Sequence, residues 1–173
     1  MPFRPFFPGP VACLIPVIFL AATGAAHAQA LPAGVRLGMT AAELQAVLPT
    51  LERVPRPQRL AGGLAGAWHG APGLVSGLPL ETTWYFGGAQ LKRVEFTANA
   101  QDRADLGADA FNEIVAWGRG AFGPELASRD SGSEIASWVD GGMDVYVQRV
   151  GDAHRASVRL VYKARVLKDG AEL

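Results

Sequence analysis

His69 and His154 are the side chains beyond the first thirty residues best suited to moving protons near neutral pH. Neither has a second histidine or a carboxylate three or four residues on, so neither can form a metal-binding helix face alone. Ser76, Ser131 and Ser133 lie near glycines, yet no G-x-S-x-G elbow surrounds any of them. Gly118-Arg119-Gly120-Ala121-Phe122-Gly123 spells the dinucleotide fingerprint, but it falls at the end of a helical pattern with no strand before it. Backbone N–H groups could not meet a pyrophosphate there. Asp102, Asp105, Asp109 and Glu113 read as a solvated connector with negative charge at a helix N-terminus. The pattern predicts exposed, uncoordinated histidines, no catalytic residue, no cofactor and no metal.

The tryptophans carry more promise for binding. For Trp84, Trp117 and Trp138 core packing is the expectation. Trp68 lies in Gly62-Gly63-Leu64-Ala65-Gly66-Ala67-Trp68-His69-Gly70, where small neighbours bury it poorly. Two readings stand for Trp68, burial in the core or contact with a protein or glycan. Trp68 and His69 are the candidate partner-contact residues.

The elements that must position these residues follow from periodicity. Val35–Leu51 holds a short helix: Thr40 and Glu43 have capping-box spacing, and Leu44, Val47, Leu48 and Leu51 make one apolar face. Pro49 ends or kinks it. Pro55 to Leu80 is rich in glycine and proline and is expected to be irregular, with a short strand over Leu64–His69. Glu81–Phe86 and Leu91–Thr97 flank Gly87-Gly88-Ala89-Gln90 as a hairpin. Trp84 and Phe86 share one strand face, as do Val94 and Phe96, while Arg93 and Glu95 point the other way. A second helix spans Asp109 to Phe122, with Phe111, Ile114, Val115, Gly118 and Phe122 on its apolar stripe and Gly123-Pro124 as the stop. Strands follow at Glu134–Val139, Met143–Arg149 and Ala156–Val166. The expected class is α+β, with two helices packed on antiparallel sheet. Trp84 before Gly87-Gly88 matches Trp138 before Gly141-Gly142, so the halves 34–97 and 105–166 read as tandem helix-plus-hairpin repeats.

The chain has 173 residues, with sixteen basic and sixteen acidic side chains. Arg4 is the only charge in the first thirty residues. An apolar run over Val11–Ala22 and the small residues of Ala26-His27-Ala28-Gln29-Ala30 complete the parts of a secretory signal peptide. The apolar run is shorter than the roughly 20 residues that span a bilayer, and Pro16 interrupts it. Residues 1–30 are thus expected to be cleaved, leaving 31–173 as one domain with no membrane anchor. Cys13, the single cysteine, lies in the removed segment and lacks a lipobox. The near-neutral remainder is no footprint for nucleic acid or an anionic membrane surface. Arginine outnumbers lysine and alanine is abundant, as in GC-rich bacteria, which makes the expected address periplasmic or extracellular.

Gly34-Val35-Arg36-Leu37-Gly38-Met39-Thr40-Ala41-Ala42-Glu43-Leu44, with Leu48 behind it, resembles a recurring element of exported bacterial proteins. It opens small outer-membrane assembly lipoproteins of the BamE/SmpA type and the repeats of β-lactamase-inhibitor-like domains. The resemblance covers about a dozen residues and implies a capped helix laid on an antiparallel sheet. It carries over no catalytic residue, and the missing lipobox departs from the assembly lipoproteins. The expected function is a non-enzymatic periplasmic binding or accessory module contacting another envelope or secreted protein, or a glycan. Its rivals are a small periplasmic hydrolase using His69 or His154 and a structural envelope protein.

Overall fold

The computed structural model describes residues 31–152 and 154–165. The segment read as a signal peptide, 1–30, lies outside them, as does Val166 at the end of the last expected strand. One antiparallel sheet organises the rest. Its strands are β1 (Glu52–Leu60), β2 (Leu64–Val75), β3 (Leu78–Gly87), β4 (Gln90–Asn99), β5 (Leu126–Asp130), β6 (Ser133–Asp140), β7 (Met143–Gly151) and β8 (Ala156–Ala164). Helix α1 (Ala41–Val47) precedes β1, and α2 (Ala108–Phe122) precedes β5. The spatial order is β1-β2-β3-β4-β8-β7-β6-β5, so two four-strand meanders meet at β4 and β8.

One face of this sheet is apolar. Register places Trp84, Val94, Tyr162, Val145 and Trp138 in one row across five strands. Phe96, Leu160, Val147 and Ala136 form the next row. All are buried, and they share a core with Leu44 of α1 and with Phe111, Ile114 and Val115 of α2. Gly118 lets α2 approach: a Cβ there would fall 2.5 Å from Cη2 of Trp138. The indole of Trp138 then donates to the Gly123 carbonyl at 2.9 Å. The fingerprint-like glycines therefore serve packing and the helix C-terminus, where Gly123 is the C-cap.

The helix signals act as the sequence implies. Thr40 Oγ1 accepts from the Glu43 N–H, and the Glu43 carboxylate accepts from the Thr40 N–H at 2.8 Å. These bonds hold the Glu43 carboxyl below its usual range. Leu48 ends the helix one residue before Pro49, since the residue before proline is disfavoured in helical conformation. Asp105 accepts from the Asp109 N–H at 2.9 Å, satisfying an orphan donor at the start of α2.

Two expectations need correction. Pro55 to Leu80 is not irregular: it forms most of β1, a 3₁₀ turn at Ala61–Gly63, all of β2 and the start of β3. Pro55 and Pro57 are tolerated because β1 is an edge strand and they sit in a bulge. Arg53 pairs Trp68 and Gln58 pairs Gly66, so residues 54–57 stand opposite Ala67 alone. The sequence also gave no sign of β5. Its five residues are all exposed, so no alternation of burial marks them.

Candidate functional site

The second face of the sheet is polar, and its centre is covered. Register aligns Glu52, His69, Thr83, Glu95, Val161 and Tyr146 in one row. Tyr85, Arg93, Lys163 and Asp144 form a second row, and Glu81, Thr97, Arg159 and Gln148 a third. The Tyr85 ring lies against Gly66 of β2 and its hydroxyl reaches Gln58 at the far end of β1. Tyr85, on a face that would otherwise meet water, is only 1% exposed. Gly66 makes the approach possible, because a Cβ there would fall 2.9 Å from the Tyr85 ring and from Thr83.

A hydrogen-bonded network fills the base. The Tyr85 hydroxyl donates to Gln58 Oε1 at 2.8 Å, and its oxygen lies 3.4 Å from Glu95 Oε2. Its single proton serves the shorter contact. Arg93 Nε donates to Glu95 Oε1 at 2.5 Å, and Arg93 Nη2 donates to the Tyr146 hydroxyl at 2.7 Å. The same guanidinium lies 5.7 Å from the Tyr146 ring centroid, a cation–π distance. Glu95 is 7% exposed and needs Arg93 as its counter-charge. Burial, then the charge of Glu95, pushes the Tyr85 hydroxyl up to about 12, so it stays protonated at neutral pH.

Above this base lies a cleft of about 580 Å³, lined by Thr83, Thr97, Arg159, His69 and Glu81 among others. A neighbouring groove of about 840 Å³ shares His69 and Glu81 and extends to Glu52, His154 and Ser157. The fold thus brings both histidines, 85 positions apart in the sequence, to one groove, which local spacing could not reveal. Among the described residues, no set of three or more His, Cys, Asp or Glu could hold a metal ion.

The two candidate contact residues part company. Trp68 stands opposite Trp84 on the apolar face and packs, half-buried, against the core. His69 stands opposite Thr83 on the polar face and is exposed. His154 is exposed in the β7–β8 turn, where its N–H donates to Asp152 Oδ1 at 2.8 Å. Ser76 lies in the β2–β3 turn, and its hydroxyl donates to Glu113 of α2. Ser131 is exposed in the β5–β6 turn, and Ser133 opens β6. None of these serines lines the groove. Sequence reasoning missed Tyr85, Arg159 and the pairing of Arg93 with Glu95. Alternation put Arg93 and Glu95 on the outward face, but nothing local showed that Tyr85 would reach across Gly66 to Gln58 of β1.

No protein-family model matches this chain, and no curated protein or solved structure is significantly similar to it. Its chemistry is therefore read from the two sheet faces and the cleft alone.

Proposed function

We propose that this protein is an exported, non-enzymatic binding module that presents the polar face of its sheet to another macromolecule of the bacterial envelope. The single observation that carries this reading is the half-buried Glu95–Arg93–Tyr146 network, with Tyr85 held by Gln58 beside it, beneath an open cleft. Holding an ion pair out of water is costly unless its geometry is fixed. Here the network fixes a preorganised floor, and its titratable groups are engaged with one another. The signal-peptide pattern of residues 1–30 supports a periplasmic address. The matched sequence of helix and four strands in each half, meeting at β4 and β8, supports a tandem repeat. It also agrees with the resemblance of the first helix to exported repeat domains. His69 borders the cleft and belongs to the contact surface, whereas Trp68 supports it from the core.

A photo-crosslinking residue at Thr97, inside the cleft, tests this reading in intact cells. The same residue at Ala116, exposed on α2, is the control. Adducts from Thr97 and not from Ala116 are expected. Equal labelling, or none from Thr97, would remove the polar face as the contact surface.

One observation favours the hydrolase reading: His69, His154, Glu81 and Ser157 line a common groove. An esterase or peptidase activity present in the unaltered protein and lost in His69→Ala with His154→Ala would decide for it.

A further inference from the structure

Three arginines among the described residues are half-buried: Arg93, Arg149 and Arg159. Arg93 is paired with Glu95, and Arg149 with Glu134 at 2.7 Å. Arg159 has neither an ion pair nor a hydrogen bond to any described residue. Its cross-strand neighbours are Thr97 and Gln148, which bring no charge. Glu95 lies diagonally across from it, but that carboxylate is committed to Arg93. Glu81 lies one strand further, beyond Thr97. A guanidinium has five N–H donors in a fixed planar fork and cannot shed its charge. Partly withdrawing one from water without a counter-charge costs stability. Arg159 faces the cleft of about 580 Å³ and forms part of its wall.

We propose that the cleft is a binding site for a small organic carboxylate held by the guanidinium of Arg159. This deepens the reading of the polar face as a contact surface and rests on it. The planar fork of arginine matches the two oxygens of a carboxylate. A dianion fits less well, because Glu81 and Glu95 flank the site and only one positive charge there is unbalanced. Thr83 and Thr97 line the same cleft and add hydroxyl donors for a bound carboxylate. Glu81, His69 and Gln58, on strands beyond Thr97 and Thr83 from Arg159 or at their edge, line the same cleft and offer acceptors for an amide or ammonium N–H of the same ligand. The volume lies in the range of small-ligand pockets. The shared chemistry is a terminal carboxylate with an N-bearing group close behind it. It could come from the C-terminus of a peptide or from a free amino acid.

Calorimetric titration of the purified protein tests this with N-acetyl-alanyl-alanine, its C-terminal amide, free alanine and inorganic phosphate. A carboxylate probe should bind, and the amide should bind at least about tenfold more weakly. Arg159→Gln should lose that binding while leaving the melting temperature unchanged or higher, since no protein partner is lost. Arg159→Lys should retain part of it, because a point charge remains without the fork. Stronger binding of the acetylated peptide assigns the site to a C-terminus, and stronger binding of alanine to a free amino acid. Equal binding of acid and amide, unchanged binding in Arg159→Gln, tighter binding of phosphate, or no binding at millimolar concentration would each overturn the proposal. Silent crosslinking at Thr97 with intact carboxylate binding would overturn only the macromolecular partner, so the two failures are distinguishable.

Discussion

The two faces of the sheet solve opposite problems with the same strands. On the apolar face, Trp84 and Trp138 sit at the ends of a row closed by Val94, Tyr162 and Val145, and the helices exclude water. On the polar face, the adjacent row carries Thr83, Glu95, Val161 and Tyr146. There no helix packs, and a cleft stays open beside the bulged edge strand. The first face stabilises by area removed from water. The second buries charge, which gains stability only through close pairing, and leaves Arg159 without an ion pair among the described residues. The core and the proposed contact surface thus lie on opposite sides of one layer.

Substitutions on each face can break this contrast. Trp138→Ala removes the ring that packs on Gly118 and Phe122 and should cost about 3–5 kcal/mol. Denaturant unfolding reads it, and a loss near zero would mean that α2 is not seated as described. On the polar face, Glu95→Ala leaves Arg93 without its counter-charge and should cost about 3 kcal/mol. The double change Arg93→Met with Glu95→Leu should cost much less, about 1 kcal/mol, because no charge is left buried. If the double variant were as unstable as the sum of the single ones, the pair would be contributing more than geometry.

Alkaline titration sharpens the comparison, since each face holds a buried phenol. Burial raises Tyr162 well above the ordinary tyrosine range, and Tyr85 is pushed up to about 12. Between pH 10 and the folded-state value, the unfolded chain loses these protons and the folded chain keeps them. Stability is therefore fully present below pH 10 and falls as pH rises towards 12. Tyr85→Phe should make that decline shallower, as followed by melting temperature against pH, while Tyr162 continues to contribute. An unchanged slope would show that Tyr85 ionises freely. Smaller again, Thr40→Ala should cost about 1 kcal/mol through loss of the cap. His69→Ala, exposed on the polar face, should stay within about 0.5 kcal/mol in the same unfolding assay.

Much of the apolar face was legible in the sequence. Leu44 and the Thr40–Glu43 box marked α1, and the stripe Phe111, Ile114, Val115 and Gly118 marked α2, because a helix repeats its burial every three to four residues. The hairpin of β3 and β4 was legible from alternation around Gly87-Gly88. β1 and β2 were not, because Pro55, Pro57 and the glycines of 62–70 read locally as turn residues. A bulged edge strand uses them differently. Gly66 is small for the sake of Tyr85, nineteen positions away, and no local pattern records that.

The sequence by itself determined where helices begin and end and which strand residues alternate towards the core, because caps and periodicity act over a few residues. It also set the absence of any local metal or nucleophile motif. Only the tertiary structure decided that β4 pairs with β8, that Tyr85 reaches across Gly66 to Gln58, and that Glu95 takes Arg93 and leaves Arg159 without a counter-charge among the described residues. Those outcomes depend on which strands meet across the sheet. Pairing between distant strands is set by the fit of whole surfaces, and a single stretch of sequence does not contain it.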